Sequence, residues 1–228
     1  IAMIVEKIYY INLDQRVDRR ESMEDALSKI DIPYERFSAI RLTESDLNSK
    51  YKSFYNRLAN KEYRSKDHLL GTIGCYISHY LVQKKANQSH HGNYLVLEDD
   101  WYVKPESIEA LELVFEQGLV PIDWDIFGSF WSSHGRIVIK HKGSTYDSKF
   151  YNKREGQPMG GAHFILYNKS STSKIVNFLD AENVFNIDGV LCNDMLNIYH
   201  MKMPIENNNF YSDIQYHEND NNERLQKK

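Results

Sequence analysis

Apolar and polar positions alternate along the chain in two periods, and the changes of period lay out a series of strands and helices. "KIYYINL" (Lys7 to Leu13) is a short run of β-branched and aromatic residues, the pattern of a buried first strand. A polar turn follows, and then Met23, Ala26, Leu27 and Ile30 fall at i, i+3, i+4 and i+7, which predicts an amphipathic helix. Asp18 and Glu21 precede it with the spacing of a capping box that has Asp as its cap. "YERFSAI" (Tyr34 to Ile40) predicts a second strand after Pro33. Arg41 to His68 is largely polar but carries Tyr51, Phe54, Tyr55 and Leu58 at helical spacing, so it reads as an inserted helical excursion.

Further on, "GTIGCYISHYLVQKKA" places Ile73, Ile77, Tyr80 and Leu81 on one helical face, with Gly74 allowing a close approach to the sheet. Tyr94 to Leu97 is a strand that ends on Glu98, Asp99 and Asp100. "KPESIEALELVF" predicts a helix opened by Pro105, and "DWDIFGSF" and "GRIVIK" predict strands. From His141 to Pro158 the chain is polar with few structure-forming signals, which suggests a mobile, functional loop. "GGAHFILY" (Gly160 to Tyr167) returns to strand, "SSTSKIVNFL" predicts a capped helix, and "NIDGVLCNDMLNIY" predicts another. Residues 218–228 read as a frayed tail. Strands alternating with helices, without an internal repeat, predict one α/β domain over residues 1–228 with a mainly parallel sheet flanked by helices.

Composition narrows the partners more than the fold. At 228 residues, 41% hydrophobic and 26% charged, the chain has the make-up of a globular protein with a real core. Its net charge of −4, without a basic block, gives no support to a nucleic-acid or anionic-membrane partner. No run approaches the roughly 20 apolar residues of a membrane span, and the N-terminus lacks a signal-peptide pattern. The chain opens "IAMIV" without an initiator Met, as an excised domain would. Cys75 and Cys192 offer neither a disulfide framework nor metal-ligand spacing, so compartment and oligomeric state are left open. The 16 tyrosines supply flat surfaces suited to stacking on sugars or bases as well as to cores.

The chemistry gathers at two strand ends. Ligands of open α/β sheets collect beyond the carboxyl ends of strands, which is where Glu98, Asp99 and Asp100 stand. Carboxylates there suit Mg2+ or Mn2+ bridged to substrate phosphates; the plain alternative is an exposed acidic turn. After the first strand, Arg16, Arg19 and Arg20 surround a helix start, where free N–H groups already favour anions, and guanidinium groups bind phosphate bidentately. Their plain alternative is a set of salt bridges to Glu21 or Glu24.

The ordered set "YYINLDQRVDRRESM", "PYERFSAI", "GTIGCYISHYLVQKKA", "YLVLEDD", "GGAHFILYNKSSTSKIV", "NIDGVL" and "FYSDIQ" resembles glycosyltransferase family 25, the group of lipooligosaccharide galactosyltransferases and procollagen-hydroxylysine glycosyltransferases. Thr72 stands where that family often has Glu, and the tail after "YSDIQ" is short. The resemblance implies a GT-A fold and inverting transfer of galactose or glucose from a UDP-sugar to an acceptor hydroxyl. It implies Mn2+ or Mg2+ on Glu98 and Asp100, with Asp213 and His217 as late candidates to close the metal site. Donor contacts are expected from Asn12, Leu13, Arg16, Arg19, Arg20, Ala39 and Asp99. Spacing leaves open which of the three consecutive acids touches metal.

Inversion needs a general base, for which the family pattern points to Asp188, with Asp194 and Glu155 as lesser candidates; Asp188 would equally serve as a helix cap. Gly160, Gly161, Ala162, His163 and Trp131 are expected to line the sugar or acceptor site, although strand geometry and core packing would explain them too. Hydroxylysine in a collagen-like protein is the expected acceptor, with a lipooligosaccharide saccharide as the alternative. Outside transferase chemistry stand a noncatalytic UDP- or sugar-binding module and a nucleotidyltransferase, the latter disfavoured because the loop after the first strand has no glycine.

Overall fold

In the computed structural model, which describes residues 3–48, 50–59, 65–129, 137–141, 144–148, 151–152, 161–181, 187, 191, 195–200 and 206–207, the first apolar run is strand β1 (Lys7–Asn12). Successive side chains of a strand point to opposite faces, so a run apolar at every position has to be covered on both. Ile8 and Tyr10 pack into one core with Met23 and Leu27 of helix α1 (Val17–Leu27) and Leu111 of α4 (Pro105–Glu116). Tyr9 and Ile11 enter the other, with Ile73 and Ile77 of α3 (Lys66–Gln88) and Ile175 and Leu179 of α5 (Thr172–Ala181). The result is a three-layer α/β sandwich, as the alternation of elements predicts.

The central sheet takes in β1, β2 (Tyr34–Ser38), β3 (Tyr94–Glu98), β5 (Ile126–Gly128), β8 (Tyr151–Asn152), β9 (Phe164–Tyr167) and β10 (Ile198–His200), in the order β2-β1-β3-β9-β5-β10-β8. The pairings set β1, β2, β3, β5 and β10 in one direction and β9 and β8 in the other. Most strands are therefore parallel, but the expected mainly parallel sheet carries an antiparallel strand at its centre. That insertion brings the start of β9 beside the acidic end of β3, because Leu97 pairs with Phe164. Two smaller ribbons stand apart: β4 (Trp101–Tyr102) pairs with β11 (Glu206–Asn207), and β6 (Ile137–His141) with β7 (Ser144–Ser148).

Several elements differ from their sequence expectation. Asp18 does not cap α1; the helix begins at Val17, and Asp18 lies within its first turn with its carboxylate on the Arg16 guanidinium. The excursion after β2 is a short 3-10 turn at Glu44–Asn48 followed by α2 (Lys52–Leu58), whose Leu58 is fully buried. Helix α3 starts five residues before the "GTIGC" stretch, capped by Ser65, whose side chain accepts from the His68 N–H. The stretch after His141 contains strands β7 and β8 in place of the expected loop. Ile198 and Tyr199, expected at the end of a helix, belong to β10, because they supply opposite faces of the sheet to the two cores. Among the described residues no helix is long and apolar enough to cross a membrane.

Candidate active site

The carboxyl ends of β1 and β3 lie side by side, with Ile11 paired to Glu98, so the chain reaches its three acids next to the turn that leads into α1. Each acid meets a different environment. Asp99 points inward: Arg19 donates from Nη1 to its Oδ1 at 2.8 Å, and Asn12 donates from Nδ2 to its Oδ2 at 2.7 Å. Both ends of this ion pair are buried, with side-chain exposures of 6% and 9%. Burial outweighs these partners and holds the Asp99 carboxyl above its ordinary range.

Glu98 is partly buried and accepts on Oε1 from His79 Nε2 at 3.0 Å, with Cys75 Sγ at 3.6 Å from the same oxygen. Burial pushes its pKa up, but the hydrogen bond from His79 more than offsets this and holds the Glu98 carboxyl below its ordinary value. Asp100 is half-buried, and its Oδ1 is enclosed with no hydrogen-bond partner among the described residues. Burial and then the Glu98 charge push its pKa up to about 7. An enclosed carboxylate oxygen without a donor, beside an ionised Glu, is a place that a divalent cation would satisfy. The donor set of two carboxylates fits Mn2+ or Mg2+.

Facing the acids, Gly161 enters β9 with φ of 89°, a conformation that favours glycine, and it delivers Ala162 and His163 to the site. The His163 carbonyl accepts from Glu98 N–H at 3.2 Å. Its imidazole is buried and stacks on Trp101, with ring centroids 4.0 Å apart and an interplanar angle of 11°. Burial lowers the His163 pKa to about 4, so the ring is neutral at physiological pH. On the other flank, Asn12 donates to the Arg16 carbonyl, and Arg36 donates from Nε to Asn12 Oδ1 at 2.8 Å while pairing with Asp14. Ala39 N–H donates to the Asn12 carbonyl, which ties the exit of β2 to the end of β1.

The structure thus gathers Glu98, Asp99, Asp100, Asn12, Gly161, Ala162 and His163 around one strand end. Arg19 and Asp99, both expected at the donor, are paired with each other in the interior. Arg16 pairs with Asp18, with Nη2 at 2.7 Å from Oδ2, and not with the Glu21 or Glu24 of the plain alternative. Arg20 is half-buried and has no ion-pair partner among the described residues, and Leu13 lies beside it in the same connection. Asp188, Asp194, Glu155, Gly160, Trp131, Asp213 and His217 lie outside the described residues. Sequence reading passed over Trp101, Arg36 and the contact of His79 with Glu98; the i, i+4 spacing of Cys75 and His79 was the available signal for the last.

The chain is similar to known glycosyltransferases. The family model described as glycosyltransferase family 25 (LPS biosynthesis protein) matches residues 5–158. A glycosyltransferase 25 family member of Aedes aegypti is 29% identical over 127 residues, covering 54% of this chain and 21% of that protein. Putative glycosyltransferase R655 of Acanthamoeba polyphaga mimivirus is 37% identical over 116 residues, 48% of this chain and 33% of its own length. Procollagen galactosyltransferase 1-A of Xenopus laevis is 27% identical over 131 residues, 54% of this chain and 21% of its own. The aligned stretch therefore spans between a fifth and a third of these relatives. Among solved structures, a glycosyltransferase involved in glycosylation of the major capsid of PBCV-1 aligns with a TM-score of 0.39 and 9% identity, over 77% of this chain and 66% of that one. No residue assignment is drawn from a likeness at that level. The match over residues 5–158, which takes in both strand ends of the site, establishes that the chain belongs to glycosyltransferase family 25.

Proposed function

We propose that the protein transfers galactose or glucose from a UDP-sugar to an acceptor hydroxyl with inversion, using a divalent cation held by Glu98 and Asp100. The observation that carries this reading is the unequal treatment of three adjacent acids. Asp99 has its own cation in Arg19, whereas Glu98 and Asp100 stand together with one enclosed oxygen unpartnered. When bound, Mn2+ or Mg2+ would supply Lewis-acid stabilisation of the charge that develops on the leaving diphosphate.

The chain's own residues do the remaining work. The Arg19–Asp99 pair and Asn12 tie the β1–α1 connection to the end of β3. Arg20 is assigned to the diphosphate, because a guanidinium keeps its charge at any physiological pH. Gly161 and Ala162 keep the floor of the site low where a sugar ring would lie, and the neutral, stacked His163 and Trp101 form a flat wall beside it. Asp188 is assigned as the base that takes the acceptor proton while the hydroxyl attacks the anomeric carbon, and Asp213 and His217 as late contributors to the cation site.

For the acceptor we assign hydroxylysine in a collagen-like chain, supported by the similarity to a Xenopus laevis procollagen galactosyltransferase. A lipooligosaccharide saccharide is the second candidate, consistent with the family description. The test is UDP release from UDP-galactose and from UDP-glucose, with and without Mn2+, in the presence of a hydroxylysine-containing collagen peptide or an oligosaccharide. Metal-dependent release stimulated by one acceptor is expected. Metal-independent UDP binding without release in any combination would favour a noncatalytic binding module.

A further inference from the structure

Helix α3 runs past the end of β3 with two residues one turn apart, Cys75 and His79, both directed at the same atom of Glu98. His79 Nε2 lies 3.0 Å and Cys75 Sγ 3.6 Å from Oε1. His79 is fully buried, so its ring has no alternative partner in solvent. The helix is fixed at this register from its other side. A Cβ on Gly74 would stand 2.3 Å from the Ile40 carbonyl oxygen, so only glycine admits the approach. Ser78 Oγ donates to the Gly74 carbonyl at 2.7 Å and accepts from Ile40 N–H at 2.8 Å. Glu98 is thus gripped by its backbone, through His163, and by one carboxylate oxygen, while Oε2 has no hydrogen-bond partner among the described residues.

We propose that His79, with Cys75 beside it, is a positioning residue. It donates from Nε2 to Oε1 and so presents Oε2 of Glu98 to the divalent cation. The inference rests on the assignment of that cation to Glu98 and Asp100. A carboxylate only accepts hydrogen bonds, so the contact fixes the proton on Nε2. The residues that orient a metal ligand matter nearly as much as the ligand, and their loss costs about 10- to 100-fold in metal affinity. The three donor atoms lie within 4.8 Å of one another and would also suit a soft ion. Metal on Nε2 would, however, displace the bond to Glu98 and leave a buried Nδ1–H without an acceptor among the described residues. The geometry therefore favours orientation over direct ligation by His79.

The test is Mn2+ affinity, read from the electron paramagnetic resonance signal of the free ion, for the whole chain and for Glu98→Gln, His79→Gln, His79→Leu and the double variant Glu98→Gln/His79→Leu. Gln places an amide N–H near the position of Nε2, whereas Leu fills the space and donates nothing. Glu98→Gln should weaken Mn2+ binding at least tenfold and His79→Leu about tenfold. His79→Gln should remain within about threefold of the parent, and His79→Leu should cost nothing further when Glu98 is already Gln. Unchanged affinity in Glu98→Gln would overturn the cation reading itself. Weakened Glu98→Gln with a parent-like His79→Leu, or losses that multiply in the double variant, would overturn the positioning role and leave the cation reading standing. Should His79→Leu not fold, His79→Asn replaces it. Its shorter amide does not reach Glu98, and affinities equal to those of His79→Gln would overturn the proposal.

Discussion

Arg19 and Asp99 are 80 residues apart in sequence and meet in the interior, where their contact decides what the other two acids are left to do. Removing one member of a buried pair strands the other charge without solvent, which costs about 3–5 kcal/mol. Arg19→Met is therefore expected to lower stability by about that amount in chemical denaturation, whether or not nucleotide is present. A loss below about 1 kcal/mol, together with weakened UDP affinity, would return Arg19 to the role of a phosphate ligand. Gly74 makes a second single-residue claim. Gly74→Ala sets a methyl group against the backbone of Ile40, and such overpacking costs about 1–3 kcal/mol, so a lower melting temperature is expected; an unchanged one would show that the two segments separate freely.

At the scale of elements, one buried carboxylate joins the far end of the sheet. Asp125, just before β5, accepts from Ser171 Oγ at 2.5 Å, from Lys174 Nζ of α5 at 2.7 Å and from the Asn197 N–H before β10 at 2.8 Å. Burial alone would raise its pKa; these three donors outweigh that and hold it below the ordinary carboxylate value. A depressed pKa in the folded state gives stability that is present above the unfolded-state value, near pH 4, and lost as the pH falls through the folded one. Asp125→Asn should thus unfold about 2 kcal/mol more easily at pH 7, with the difference shrinking below about pH 4. A difference that stays constant from pH 7 to pH 3 would contradict the ionised tie.

The elements also show what a sequence can say in advance. Strands β1, β3 and β9 were legible as continuous runs of apolar, β-branched and aromatic residues, helices α1 and α3 by apolar residues at helical spacing, and α4 by the Pro105 that opens it. Strands β4, β8 and β11 were not, being two residues long, and β10 was not because its three residues stand at the end of a stretch read as helix. The cap of α1 was misplaced because the helix already begins at Val17, which puts Asp18 inside its first turn with its carboxylate on the Arg16 guanidinium. In the site, the three acids stood out by their position at a strand end, yet their roles depended on contacts from α1 and α3. Arg19 and His79 look like ordinary helical residues in the sequence, and only the sheet order brings them to Asp99 and Glu98.

For the molecule as a whole, the proposed function requires that Asp99 be paired internally with Arg19 and that Glu98 and Asp100 hold a divalent cation for hexose transfer. The most direct measurement is Mn2+-dependent UDP release from the preferred UDP-sugar and acceptor, compared between the parent chain and Asp100→Asn, with thermal unfolding as the control for folding. The expected result is a folded variant whose turnover falls about 100-fold or more and whose UDP affinity no longer responds to Mn2+. A folded Asp100→Asn that turns over at the parent's rate, with the same dependence on Mn2+, would contradict the claim.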